Sequence, residues 1–173
     1  IWINDIVSIN KDFKVIVSGD TKQKVRTFGL ISKAVHNKMM DISVDAIIQI
    51  NLDILKKWLE ENPSIHEGIA VNNDRLNEVI EIVKQQEGLI LKASYLMGGI
   101  AWAQPFAGGN KRTGVVCADT FLRMNGYRLD VKSEEDIEYM RKLLFEIQEE
   151  RTSLNIETMA KIILYVAKRV VKL

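Results

Sequence analysis

Apolar residues recur along this chain at intervals of three and four, the spacing that places them on one face of an α-helix. Ile42, Ala46, Ile47, Ile50, Ile54, Leu55 and Trp58 form one such stripe. Ser43 or Asp41 is placed to cap its start, and Asn62-Pro63 stops it. Asn73 is expected to cap a second helix carrying Leu76, Val79, Ile80 and Val83. Leu89 to Ala103 is apolar on most sides, so it reads as a buried central helix. Pro105 ends it, because proline disfavours helical geometry in the residue before it. Asn110 to Asn125 is the next helix, closed by Gly126 as a left-handed cap.

Ser133 begins another, with Asp136 completing a cap-like pair ahead of Ile137, Met140, Leu143, Leu144 and Ile147. Ser153 or Asn155 starts the last, which carries Ile156, Met159, Ile162, Ile163, Val166 and Val170. Lys168, Arg169 and Lys172 suit its C-terminal end. Strand signal is thin, confined to Lys14–Ser18 and Ile69–Val71. The expected fold class is all-α: a helical bundle around a buried central helix, with one small β-hairpin. Residues 1–12 echo residues 42–53, a likeness that amphipathic helices share by chance, and two copies would be too few for a repeat array.

Composition narrows the function classes. The 173 residues hold 24 Lys+Arg against 23 Asp+Glu, a formal net charge of +1. That balance leaves no broad electrostatic footprint for nucleic acid or an anionic membrane. With 47% hydrophobic and 27% charged residues the chain can bury a core and is not of the disordered type. A single domain over 1–173 is expected. The longest uncharged run, Ala93 to Ala103, is too short to span a bilayer, and no signal-peptide pattern is present. A chain opening at Ile1 without Met is expected to lack its true start. The lone Cys117 fits a reducing, cytoplasmic setting and reads as a buried, inert thiol.

One stretch departs from ordinary helix, Gln104-Pro105-Phe106-Ala107-Gly108-Gly109-Asn110-Lys111-Arg112-Thr113-Gly114. Phe106 is placed to anchor the turn in the core. Gly108 and Gly109 permit backbone geometry and close approach that other residues avoid. Asn110 opens a helix whose first N–H groups lack partners and whose dipole favours negative charge. Lys111 and Arg112 add positive charge, and a guanidinium can grip phosphate with two parallel bonds. One reading is an anion cradle, most plausibly for phosphate. The other is a plain helix–turn–helix corner with its Lys-Arg pair in solvent.

The run from Tyr95-Leu96 through Gln104-Pro105-Phe106, Gly109-Asn110-Lys111-Arg112-Thr113, Phe121-Leu122 and Asn125-Gly126-Tyr127 resembles the signature of the Fic/Doc (Fido) family, closer to its death-on-curing, or Doc, branch. A fainter likeness covers Val25 to Val35, similar to an upstream Arg-x-x-Gly-Leu-Leu element, and Ile3–Phe13 resembles the helix that starts Doc-like chains. On this resemblance residues 1–40 hold N-terminal helices. Residues 41–85 hold a variable segment or a second copy of the first element. Residues 86–130 hold the core motif helices and residues 131–173 the C-terminal helices.

The resemblance implies a loop that binds ATP phosphates through Gly109, Asn110, Lys111, Arg112 and Thr113, and a reaction on a protein hydroxyl. Fic proteins typically transfer AMP, whereas Doc-type proteins are phosphotransferases. Lys111, where Fic has Gly, and Val115, where Fic has a second Arg, point to the Doc side. ATP is the expected cofactor. The expected partner is a target protein or an antitoxin, with a homo-oligomer also open, and neither nucleic acid nor membrane.

Two departures stand out. Gln104 occupies the position of the family His, and an amide cannot take a proton from an attacking hydroxyl. Losing a general base costs roughly 10²–10⁴ in rate. Gly108 stands where the family carries an acid that holds Mg²⁺, so the metal's protein ligand is missing. His36, His66 and Glu67 are remote candidates to substitute, and no zinc-type spacing occurs. Asp119 reads as a solvated or capping charge, Glu134-Glu135-Asp136 as the negative first turn of a helix, and Trp2, Trp58 and Trp102 as packing residues. Three functions follow: a degenerate Doc-like domain that binds nucleotide or phosphate but transfers little; an active phospho- or adenylyltransferase with an unusual base; or a toxin-like interaction module without nucleotide.

Overall fold

The computed structural model describes residues 8–9, 15–16, 39–64, 68–149 and 152–173. The chain divides into two compact units, Ile1–Lys38 and Met39–Leu173. In the first, β1 (Ser8–Ile9) and β2 (Val15–Ile16) pair antiparallel. The strand expected within Lys14–Ser18 is therefore present. Ser8 and Ile9 correct the helix expected over Ile3–Phe13: they are extended and pair with β2, and Ile9 is β-branched, a type that favours strands. The rest of that stretch, and the Val25–Val35 element, lie outside the described residues.

The second unit is built from six helices: α1 (Val44–Glu61), α2 (Asn73–Lys84), α3 (Leu89–Ala103), α4 (Asn110–Met124), α5 (Glu134–Glu149) and α6 (Ile156–Arg169). Its mostly helical architecture, with one small antiparallel strand pair among the described residues, is the all-α class that the periodicity predicts. Caps set the starts. Ser43, not Asp41, accepts the Ala46 N–H of α1 at 3.2 Å, and Asn155 accepts the Thr158 N–H of α6 at 3.0 Å. Asn72 rather than Asn73 caps α2, accepting the Arg75 N–H at 3.1 Å.

Helix α3 is the centre. Its bounds coincide with the apolar run, and most of its residues are buried, with Leu96, Met97 and Ile100 fully so. Small residues let neighbours close on it. A Cβ at Gly99 would meet Val79 of α2 at 3.1 Å, and one at Gly98 would meet the Met159 sulfur of α6 at 2.9 Å. Lys92 is the one charge in this helix. It is buried against the core and its Nζ reaches the Asp41 carboxylate at 2.7 Å.

A second strand pair was not legible in the periodicity. β3 (Tyr127–Leu129) pairs antiparallel with β4 (Val170–Lys172), Leu129 opposite Val170. Val170 therefore leaves the last helix, in which its spacing had placed it, and turns extended at ψ 123°. Asp119 ties α4 to this pair: one oxygen accepts the Leu129 N–H at 2.8 Å, the other pairs with Arg123 at 2.6 Å. At the other end Asp136 pairs with Arg169, whose guanidinium holds that carboxyl below its usual range. No described helix is long and apolar enough to cross a membrane.

Candidate functional site

Helix α3 stops at Gln104, which adopts left-handed geometry at φ 47°, ψ 58°. It is the only non-glycine residue with positive φ among those described. The chain then runs through Pro105 and Phe106. Phe106 is buried, anchoring the turn in the core as expected. Its backbone is held from two sides. The Asn110 side chain accepts the Phe106 N–H at 2.9 Å and donates to the Phe106 carbonyl at 2.8 Å. From the segment before α2, Val71 bridges to Phe106, Asn72 N–H donates to the Pro105 carbonyl at 2.6 Å, and Ala107 N–H donates to the Ala70 carbonyl at 3.0 Å. The thin strand signal at Ile69–Val71 thus corresponds to a single bridge beside the loop.

Gly109 is the N-cap of α4 at φ 74°, a conformation that a side chain would strain. Contact adds a second reason for glycine, since a Cβ there would meet the Asn51 amide nitrogen at 3.2 Å. Asn51, on α1 and buried, donates to the Gly108 carbonyl at 2.9 Å and to the Thr113 hydroxyl at 3.0 Å. A buried amide has to place its hydrogen bonds, and these two lock the loop to the first turn of α4. Gly108 itself is buried and outside the left-handed region.

A cavity of about 690 Å³ opens in front of this turn. Gln104, Gly108, Gly109, Asn110, Lys111 and Arg112 line one side. Helix α5 supplies the opposite wall with Ile137, Met140, Arg141, Leu144, Phe145 and Gln148, and Trp58 of α1 closes a corner. The predicted cluster is thereby brought together with one exception. Thr113 is fully buried, is not part of the cavity lining, and its hydroxyl accepts from the Asn51 amide. The Asn110 amide is likewise spent on Phe106, which leaves its backbone as its contribution to the helix start.

The cations are positioned by aromatics. Lys111 Nζ lies 4.2 Å from the centre of the Phe145 ring and donates to the Gln148 side-chain oxygen. Burial holds the Lys111 amine below its ordinary lysine range. The Arg112 guanidinium lies 4.7 Å from the Trp58 ring centre. Trp58, expected to be a packing residue, therefore carries a site cation on its face. Arg141 adds a third positive charge from α5, with Glu138 beside it on the surface at 3.0 Å.

None of the described residues lining the cavity is Asp or Glu, and the described residues contain no cluster of His, Cys, Asp and Glu able to hold a metal. This donor set does not fit Mg²⁺, which takes carboxylate oxygens. It fits an anion. His36, His66 and Glu67 lie outside the described residues. Cys117 is buried in α4, and burial pushes its thiol up to about 12, which removes it as a nucleophile near neutrality.

Three contributors were missed by the periodicity: Asn51, Arg141 and Gln148. Asn51 left a trace, being the polar residue between Ile47 and Leu55 at four-residue steps on the buried face of α1.

No curated protein matches the chain, and no solved structure matches it. The Fic/DOC family model matches residues 31–122, more than half of the chain and the whole of the loop and cradle. The chain belongs to the Fic/DOC family.

Proposed function

We propose that this protein is a Doc-like member of its family whose site binds a phosphate-bearing ligand, ATP foremost, and transfers little or nothing from it. Family membership points to transferase-type or toxin-like action. The observation that carries the proposal is the cavity itself. A glycine turn opens α4 into a space lined by Lys111, Arg112 and Arg141, with neither imidazole nor carboxylate among the described lining residues. Such a site favours negative charge through the helix start and the cations. With Gln104 in the position of the family His, the described lining residues offer neither an imidazole nor a carboxylate to accept a hydroxyl proton. Gly108, in the position of the family acid, offers no metal ligand.

Calorimetric titration with ATP tests the binding. Arg112→Ala removes a charge-assisted contact and should weaken ATP about tenfold or more. Unchanged affinity would place the nucleotide elsewhere. Incubation with α- or γ-labelled ATP and a lysate tests the chemistry, and label appearing on protein would favour an active transferase with an unusual base. A second reading, a toxin-like interaction module, draws on the exposed Val116, Ile137 and Phe145 beside the cavity mouth. That reading requires that ATP not bind.

The lowered amine of Lys111 gives a pH signature. Phosphate binding needs the protonated form, which is lost as pH rises through the depressed value. ATP affinity should therefore fall over an alkaline interval that starts below the ordinary lysine range. Lys111→Arg should hold its affinity across that interval, since a guanidinium stays charged. Calorimetry across the interval checks this, and identical profiles for the two proteins would remove Lys111 from the binding site.

A further inference from the structure

We infer that Gln148 and Phe145 are positioning residues of the cavity, holding the Lys111 ammonium off α4 and against α5 so that a phosphate group is gripped between the two helices. The inference rests on the phosphate-binding reading of the same cavity and adds the residues that aim its lysine. Lys111 leaves the first turn of α4, yet its Nζ ends on α5, where it donates to the Gln148 side-chain oxygen and stands 4.2 Å from the centre of the Phe145 ring. Phe145 and Gln148 are three positions apart in α5 and so share one face of that helix. All three side chains line the cavity.

The chemistry of the two partners suits a lysine kept ready for an anion. An amide oxygen and a ring face both attract an ammonium, and neither cancels its charge. A carboxylate in their place would hold the lysine as firmly but would repel a phosphate. An ammonium has three N–H donors, so the bond to Gln148 leaves others for phosphate oxygens. Fixing a flexible four-carbon stem in advance also removes that ordering cost from ligand binding. The other charged side chains of the described lining are Arg112 of α4, stacked on Trp58 of α1, and Arg141 of α5, paired with Glu138. The variants that test the inference leave them in place.

NMR titration of the Lys111 side chain in the ligand-free protein reads the hold of α5 directly. Gln148→Met removes the acceptor, so the amine should lose its proton at lower pH than in the unmodified protein. Gln148→Glu supplies a charged acceptor and should move that loss to higher pH. Phe145→Leu, at an exposed position where folding is not at stake, should follow Gln148→Met. Near neutrality Gln148→Met should also weaken ATP about three- to tenfold by calorimetry, the range of one hydrogen bond, and should add no loss in a Lys111→Met background. Unshifted titrations in Gln148→Met and Phe145→Leu, shifts of one sign in Gln148→Met and Gln148→Glu, or an equal loss of ATP affinity with and without Lys111 would each overturn the inference. Absence of ATP binding by the unmodified protein would overturn the phosphate-binding reading and the grip on phosphate with it, whereas the ligand-free titrations judge the hold of α5 on Lys111 separately.

Discussion

A protein carrying Gln104→His together with Gly108→Asp should transfer label from ATP to protein in Mg²⁺, at a rate at least about 10²–10⁴ above the unmodified chain, the range a general base supplies. The magnitude follows from what each change restores. The imidazole gives the hydroxyl a proton acceptor, and the carboxylate gives the metal a protein ligand, so the metal can neutralise charge at the transferring group. Each single change should fall far short of the pair, because base and metal act on one step.

The backbone is ready for both. Gln104 already sits at φ 47°, and histidine is among the side chains enriched in that left-handed region. Gly108 lies outside that region, so an aspartate there meets no backbone strain. Pro105, Phe106 and the Asn110 staple hold the turn independently of either side chain. The readout is autoradiography of transferred label, with ATP affinity measured in parallel. A double variant that binds ATP and transfers nothing would contradict the assignment of Gln104 and Gly108 to the two vacated roles.

The second large effect concerns the scaffold. Gly114→Val should lower the melting temperature by roughly 2–12 °C. In α4 a Cβ at Gly114 would lie 2.5 Å from the Met97 carbonyl oxygen of α3, a backbone atom that no rotamer change can move. The two helices would have to separate, and overpacking of this kind costs typically 1–3 kcal/mol, occasionally more. In a domain of this size each kcal/mol shifts the transition by roughly 2–4 °C. Because α4 begins at the cradle, the separation should also weaken ATP binding. Gly126→Ala makes a contrast: a Cβ at Gly126 meets nothing within 4 Å, so its cost comes from φ 83° alone and should leave the cradle unaffected. Thermal unfolding followed by circular dichroism compares the two. An unchanged melting temperature in Gly114→Val would contradict the close backbone approach of α3 and α4 at this position.

The elements that chain order alone could define are the ones that the sequence made legible. Helix α3 was readable to its last residue because it is apolar on nearly every side and ends at a proline. The cradle was readable because glycine, lysine and arginine cluster at one helix start. What stayed hidden depends on partners far along the chain. Asn51 reaches Gly108 across 57 positions and Thr113 across 62. No local spacing announces such a contact, so the strut between Asn51 and the buried Thr113 hydroxyl was not legible. The opposite wall was half visible: Ile137, Met140 and Leu144 showed as an apolar stripe, while nothing in that spacing marked Arg141 or Gln148. Val170 misled because its position continues the period of α6, and only pairing with Leu129 draws it into a strand.

The near-neutral total of 24 positive and 23 negative residues also hid a local imbalance. Around the cavity Lys111, Arg112 and Arg141 come together while none of the described lining residues is Asp or Glu, and the proposed function grows from that concentration of positive side chains. The most direct test is a crystal structure of the unmodified protein grown with ATP. The account predicts phosphate density over the turn from Gly109 to Arg112, within reach of Lys111, Arg112 and Arg141. Well-ordered protein with no nucleotide at that turn, or with nucleotide bound elsewhere, would contradict it.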